Sequence, residues 1–142
     1  MRRGVTLVEL VVVMAILGTL VGWAMPRVSA GMDWLAVDAA AQEVTTFYAV
    51  ARFAALQRGT RVRVEFASDT LRAVFEGTRD SLFRVQAGPA RHGVTFHASQ
   101  RAIRIGSHGY GWGSANTTLV LRRGLVAESL TTSRLGRIKW WR

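Results

Sequence analysis

The chain has 142 residues, no cysteine and a net charge of +10. That length leaves room for one domain beside a membrane-length segment, and the missing thiols exclude a disulfide framework or a thiolate metal site. The charge is lopsided: residues 1–80 hold nine arginines against eight acids, whereas residues 81–142 hold nine arginines and Lys139 against Glu128 alone.

The chain opens "MRRGVTLVELVVVMAILGTLVGWAMPR", with sixteen uncharged residues from Leu10 to Met25. About twenty apolar residues in a helix span a bilayer core. Arg2 and Arg3 precede the segment and Arg27 follows it, so the positive-inside rule favours a cytoplasmic N-terminus only weakly. Two plain readings stand: a secretory signal cut near Val28, Ala30 and Gly31, or an uncleaved anchor. Neither gives a reason for Glu9, an acid at the start of an apolar helix, where a lone carboxylate is costly.

The run "RRG|VTLVELVVVMAILGTLVGWAMP" resembles the class III signal of type IV pilins and type II secretion pseudopilins. The resemblance implies cutting between Gly4 and Val5 by a prepilin peptidase on the cytoplasmic side, followed by methylation of the new N-terminus. The apolar helix then stays with the mature protein and enters the filament core. Thr6, Leu7 and Pro26 fit the family pattern; Val5 departs from it, because phenylalanine is usual there. A glycine, lacking Cβ, lets a peptidase approach the backbone closely. Glu9 on one subunit could then pair with the α-amine that cleavage creates on its neighbour, which makes two buried charges tolerable and Glu9 an assembly determinant. The implied layout is a leader (1–4), a membrane and filament-core helix (5–31) and a globular head (32–142).

Gly18, Gly22 and Pro26 loosen the first helix, Gly31 is expected to kink or interrupt it, and Asp33 to cap a restart. Beyond it, Val37, Ala40, Val44, Phe47, Ala51 and Ala54 recur at steps of three and four, which predicts an amphipathic helix ending at Arg58–Gly59. The period then falls to two. "RVRVEFA" and "TLRAVFE" predict a hairpin over 61–76, and "LFRVQ", "GVTFHA", "RAIRI", "TTLVLRR", "LVAESLTT" and "GRIKWW" predict further strands. The fold class is therefore α+β, a long N-terminal helix packed on an antiparallel β-sheet head. This layout, with Ser133, Gly136 and Arg137 leading into the last strand, is similar to the GspH/FimT group of minor pseudopilins and pilins. That likeness implies a scarce subunit acting in initiation near the filament tip. The implied partners are other pilin or pseudopilin subunits, prepilin peptidase and the inner membrane, crossed once with the N-terminus cytoplasmic and the head periplasmic or extracellular.

No catalytic set stands out. His92, His97 and His108 have no metal-ligand spacing and are expected on loops or exposed faces; no metal, cofactor or small-molecule substrate is implied. "GYGWGS" lacks the context of a phosphate loop, and its glycines suit a tight turn. The remaining candidate is the tail, "RLGRIKWWR". Arg134, Arg137, Lys139, Trp141 and Arg142 place cations beside an indole, which suits phosphate contact and base stacking. As a strand it puts Arg137, Lys139 and Trp141 on one face and Ile138 and Trp140 on the other. Some members of the resembled group bind DNA through a Gly-Arg-x-Arg motif during DNA uptake; Gly136-Arg137-Ile138-Lys139 keeps the spacing, with lysine losing the bidentate fork. Arg122 and Arg123, placed at a turn, are candidates to extend that surface. The bland alternative is that Ile138 and the tryptophans complete the core while the cations are a solvated face.

Overall fold

In the computed structural model, which describes residues 6–77, 80–113 and 116–141, the apolar and amphipathic stretches form one helix, α1 (Leu7–Arg58). The expected break at Gly31 is absent: α1 runs through Gly18, Gly22, Pro26 and Gly31. A glycine costs a helix only about 1 kcal/mol, which neighbouring strong helix formers can carry. Asp33 caps nothing; its carboxylate meets the Arg123 guanidinium at 2.9 Å. The chain divides into two compact units, Met1–Met32 and Asp33–Arg142.

In the first unit Thr6 precedes the helix and accepts the Glu9 N–H on its Oγ1 at 3.2 Å. Every described side chain from Thr6 to Met32 is exposed. This stretch of α1 is long and apolar enough to cross a membrane.

In the second unit α1 buries Val37, Ala40, Ala41, Val44, Phe47, Tyr48, Ala51, Ala54 and Ala55. These fall on one stripe, and the small alanines let the helix approach a sheet closely. The stop at Arg58 follows from Gly59, whose φ of +59° allows Thr60 N–H to reach Ala55 O and Gly59 N–H to reach Leu56 O.

Among the described residues nine strands follow: β1 (Arg61–Phe66), β2 (Thr70–Glu76), β3 (Ser81–Ala87), β4 (Thr95–Ala98), β5 (Ala102–Ile105), β6 (Gly111–Trp112), β7 (Thr117–Arg123), β8 (Val126–Thr132) and β9 (Ile138–Trp141). They form two antiparallel sheets, ordered β3-β2-β1-β5-β6 and β4-β7-β8-β9. The fold is α+β, one long N-terminal helix packed on antiparallel β-sheets. Alternation on β1, β2 and β7 sends Val62, Val64, Leu71, Ala73, Leu119 and Leu121 into a single core with the helix stripe. The split falls between β4 and β5, where Ser99 and Gln100 are held by Thr117: the two hydroxyls lie 2.9 Å apart and the Gln100 N–H reaches Thr117 Oγ1 at 3.1 Å. Residues 93–94 stay outside β4, since Gly93 closes a 3₁₀ turn (Pro89–His92) with φ +67°.

Candidate functional site

Two surfaces carry the residues singled out by the sequence. The first is the N-terminus of α1. Gly4 and Val5 lie outside the described residues. Glu9 is exposed at the third helical position, with its own N–H capped by Thr6. Thr6-x-x-Glu9 has capping-box spacing, and a carboxylate there also meets the positive end of the helix dipole. Glu9 thus has a local reason to be an acid, which was visible in the spacing.

The second surface is β9 and the turn before it. Ser133 opens that turn: its N–H reaches Arg137 O at 2.8 Å, and its Oγ accepts the Arg137 N–H at 3.3 Å. Gly136 has φ +73°, and a Cβ there would stand 2.8 Å from both Arg52 Nε and Gly109 O. Only glycine fits such a left-handed, crowded position. Arg52, on α1, is the fastener: its Nε donates to Gly109 O at 2.9 Å and its Nη1 to Gly136 O at 3.3 Å. Arg52 falls outside the apolar three-and-four spacing of the helix, and that spacing gives no sign of this role, because its carbonyl partners lie 57 and 84 residues away.

From that anchored turn, β9 pairs with β8, with Lys139 opposite Thr131 and Trp141 opposite Ser129. Ile138 and Trp140 are half-buried against the core. Arg137, Lys139 and Trp141 are exposed, and the Lys139 ammonium sits 3.9 Å from the Trp141 ring centre. A shallow cavity of about 480 Å³ lies here, lined by Thr131, Ser133, Leu135, Arg137, Lys139 and Trp141 among others. Arg134 is exposed in the turn and reaches Gly113 O at 3.4 Å, and Arg142 lies outside the described residues. Both the core-completing role and the cationic face are therefore present in one strand, on opposite sides.

Arg122 and Arg123 close β7 instead of lying in a turn, and alternation sends them to opposite faces. Through the register Trp141–Ser129–Val120, Arg122 shares the outer face with Trp141. Two strand spacings and two residues separate them, about 12 Å. Arg123 is committed elsewhere, to Asp33 at 2.9 Å and to His92 O at 2.6 Å. Other basic residues of the second half meet acids of the first: Arg91 and His92 contact Glu43, and Arg104 meets Glu76 at 2.8 Å. Among the described residues, Arg122, Arg134, Arg137 and Lys139 take part in none of these ion pairs. His97 and His108 are exposed; His92 is half-buried with its Nε2 3.2 Å from Glu43. No cluster of metal-ligating side chains occurs among the described residues.

Residues 1–25 match the family described as "Prokaryotic N-terminal methylation motif". The chain is 42% identical over 64 residues to the pilin-like protein PilA1 of Thermus thermophilus, a match covering 45% of this chain and 40% of that relative. The chain thus spans well under half the length of this curated relative in the match. Two crystal structures of the type IV minor pilin FimU of Pseudomonas aeruginosa share the fold at 14% identity. One gives a TM-score of 0.64 over 75% of this chain and 88% of its own, the other 0.61 over 74% and 92%. The chain thus carries a prokaryotic N-terminal methylation motif and, behind it, a fold shared with a type IV minor pilin.

Proposed function

We propose that the chain is a minor subunit of a type IV filament, either a pilus or a type II secretion pseudopilus, that acts in assembly near the tip. Prepilin peptidase cuts between Gly4 and Val5, and the apolar stretch of α1 first anchors the subunit in the inner membrane and then packs in the filament. The observation that carries this reading is the coincidence of a methylation motif on residues 1–25 with a helix whose described side chains are exposed from Thr6 to Met32. A surface so apolar is stable only when lipid or other helices cover it. In this reading Glu9 pairs with the α-amine of the adjacent subunit during entry.

Glu9→Gln separates the ion pair from the local cap, because glutamine keeps the capping-box geometry and loses the charge. Leaving a buried charge unpaired costs about 3–5 kcal/mol. Sheared filaments from cells carrying Glu9→Gln should therefore hold at least roughly tenfold less of the subunit at unchanged membrane level. Equal incorporation would reduce Glu9 to a helix cap.

A second reading is favoured by the exposed cations of the last strand: the head binds DNA through Arg134, Arg137 and Lys139, with Arg122 and Trp141 beside them. Lys139 covers one face of Trp141, which favours phosphate contact over base stacking at that ring. About three phosphate contacts give a slope near −2.7 in a plot of log affinity against log salt. Titration of duplex DNA with the full chain in detergent should give that slope, reduced by about two for the Arg137→Ala/Lys139→Ala variant. Binding indifferent to that variant would remove the DNA role from β9.

A further inference from the structure

Strand β3 is built inside out. On β2, Leu71, Ala73 and Phe75 face the core, and the register pairs them with Gln86, Arg84 and Ser81 of β3. Paired residues of antiparallel strands share a face, so the paired residues on the core side of β3 are polar, with Phe83 the one apolar side chain packed toward it. Its outer side carries Leu82 and Val85, opposite Val74 and Arg72. The register shift between Ala73 and Val74 sets Leu82 on the same outer side as Val85 and leaves Phe83 unpaired, its ring 5.0 Å from that of Phe75. Leu82 is 63% exposed and Val85 50%.

β3 is also the edge of its sheet, seven residues long, with neither proline nor acid in it. Natural edges are usually shortened, charged or covered, because their unpaired N–H and C=O groups recruit other strands. An apolar outer side on such an edge marks a place where another strand adds.

The charge at this edge selects the occupant. Arg72 and Arg84 lie on its two faces, and among the described residues neither enters an ion pair. A second copy fits poorly: antiparallel pairing of two β3 strands over most of their length sets the two Arg84 residues opposite or diagonal to each other, and like charges so placed are destabilising. We propose that the β3 edge is a docking strand for an extended segment of a different protein subunit, one that alternates apolar and acidic residues. The apolar side chains would cover Leu82 and Val85, and the carboxylates, on the opposite face, would meet Arg84. This docking depends on the edge alone and is independent of the DNA and filament readings.

The test uses the full chain in detergent and a fluorescent peptide of alternating valine and glutamate, followed by anisotropy. The peptide should bind, and binding should weaken at least about tenfold with Val85→Lys and with Arg84→Glu, both at exposed positions. It should vanish when alternate peptide nitrogens are methylated, and persist in the Arg137→Ala/Lys139→Ala variant. No binding, equal binding of the methylated peptide, or loss only in the tail variant would overturn the proposal. Self-association of the chain that the peptide competes away would also overturn it, assigning the edge to a second copy.

Discussion

Gly136 and Arg52 show how a motif that reads as chemistry can begin as packing. The glycine of Gly136-Arg137 is required by its φ of +73° and by Arg52 and Gly109 O at 2.8 Å from the place of a Cβ. Gly136→Ala should cost about 2 kcal/mol, from left-handed strain and the displaced guanidinium. Arg52→Ala should cost about 1–2 kcal/mol through its lost carbonyl contacts. Because both act on one contact, the double variant should fall short of the sum; chemical unfolding of the three variants measures it. Tyr48, buried beside this residue, gives a pH signature. Burial raises its phenol above the ordinary value of 10.0, and the nearby Arg52 charge lowers it in part. The folded state therefore holds the proton longer than the unfolded state does. This contribution is complete below about pH 10 and is lost as pH climbs through the folded value. Unfolding of Tyr48→Phe at alkaline pH should show a shallower loss of stability than the parent; an identical slope would contradict the burial.

At the level of elements, packing should far outweigh ion pairs in holding residues 33–58 of α1 to the sheets. Phe47, 1% exposed, should cost about 3–5 kcal/mol as Phe47→Ala. The Asp33–Arg123 pair is about a third exposed, and Asp33→Asn should cost no more than about 1 kcal/mol. Thermal unfolding compares the two directly. The elements themselves were legible because each is written in local chemistry. Alternation marks β1, β2, β7 and β8, and the three-and-four spacing from Val37 to Ala54 marks the buried stripe of α1. Arg58–Gly59 marks its stop. Partnership was not legible. Nothing in "GVTFHA" and "RAIRI" says that β4 joins β7 while β5 joins β1, because register is decided by contacts distant in sequence. Gly111–Trp112 pairs with β5 over only two residues, too few for a periodic signal. The continuity of α1 through Gly31 was missed because propensity weighs single residues, whereas a long helix averages over them.

For the whole molecule, the excess of basic residues after Asp80 is partly an internal arrangement. Glu43, Glu76 and Asp33 of the first half pair with Arg91, Arg104 and Arg123 of the second. What remains is concentrated on the outer face of the sheet ending in β9 and at the β3 edge, two surfaces suited to different partners. Of the candidate sites, the cationic face of β9 was readable from alternation alone. Its anchoring by Arg52 and the diversion of Arg123 to Asp33 were not, because both depend on the helix crossing the sheets. The central claim, that the chain is made as a precursor and matured into a filament subunit, is tested by the intact mass and N-terminal sequence of the protein purified from its membrane. The expected product begins at Val5, one methyl group heavier than its sequence, with the rest of α1 retained. A chain that keeps Met1, or one cut near Ala30 with the apolar helix lost, would contradict it.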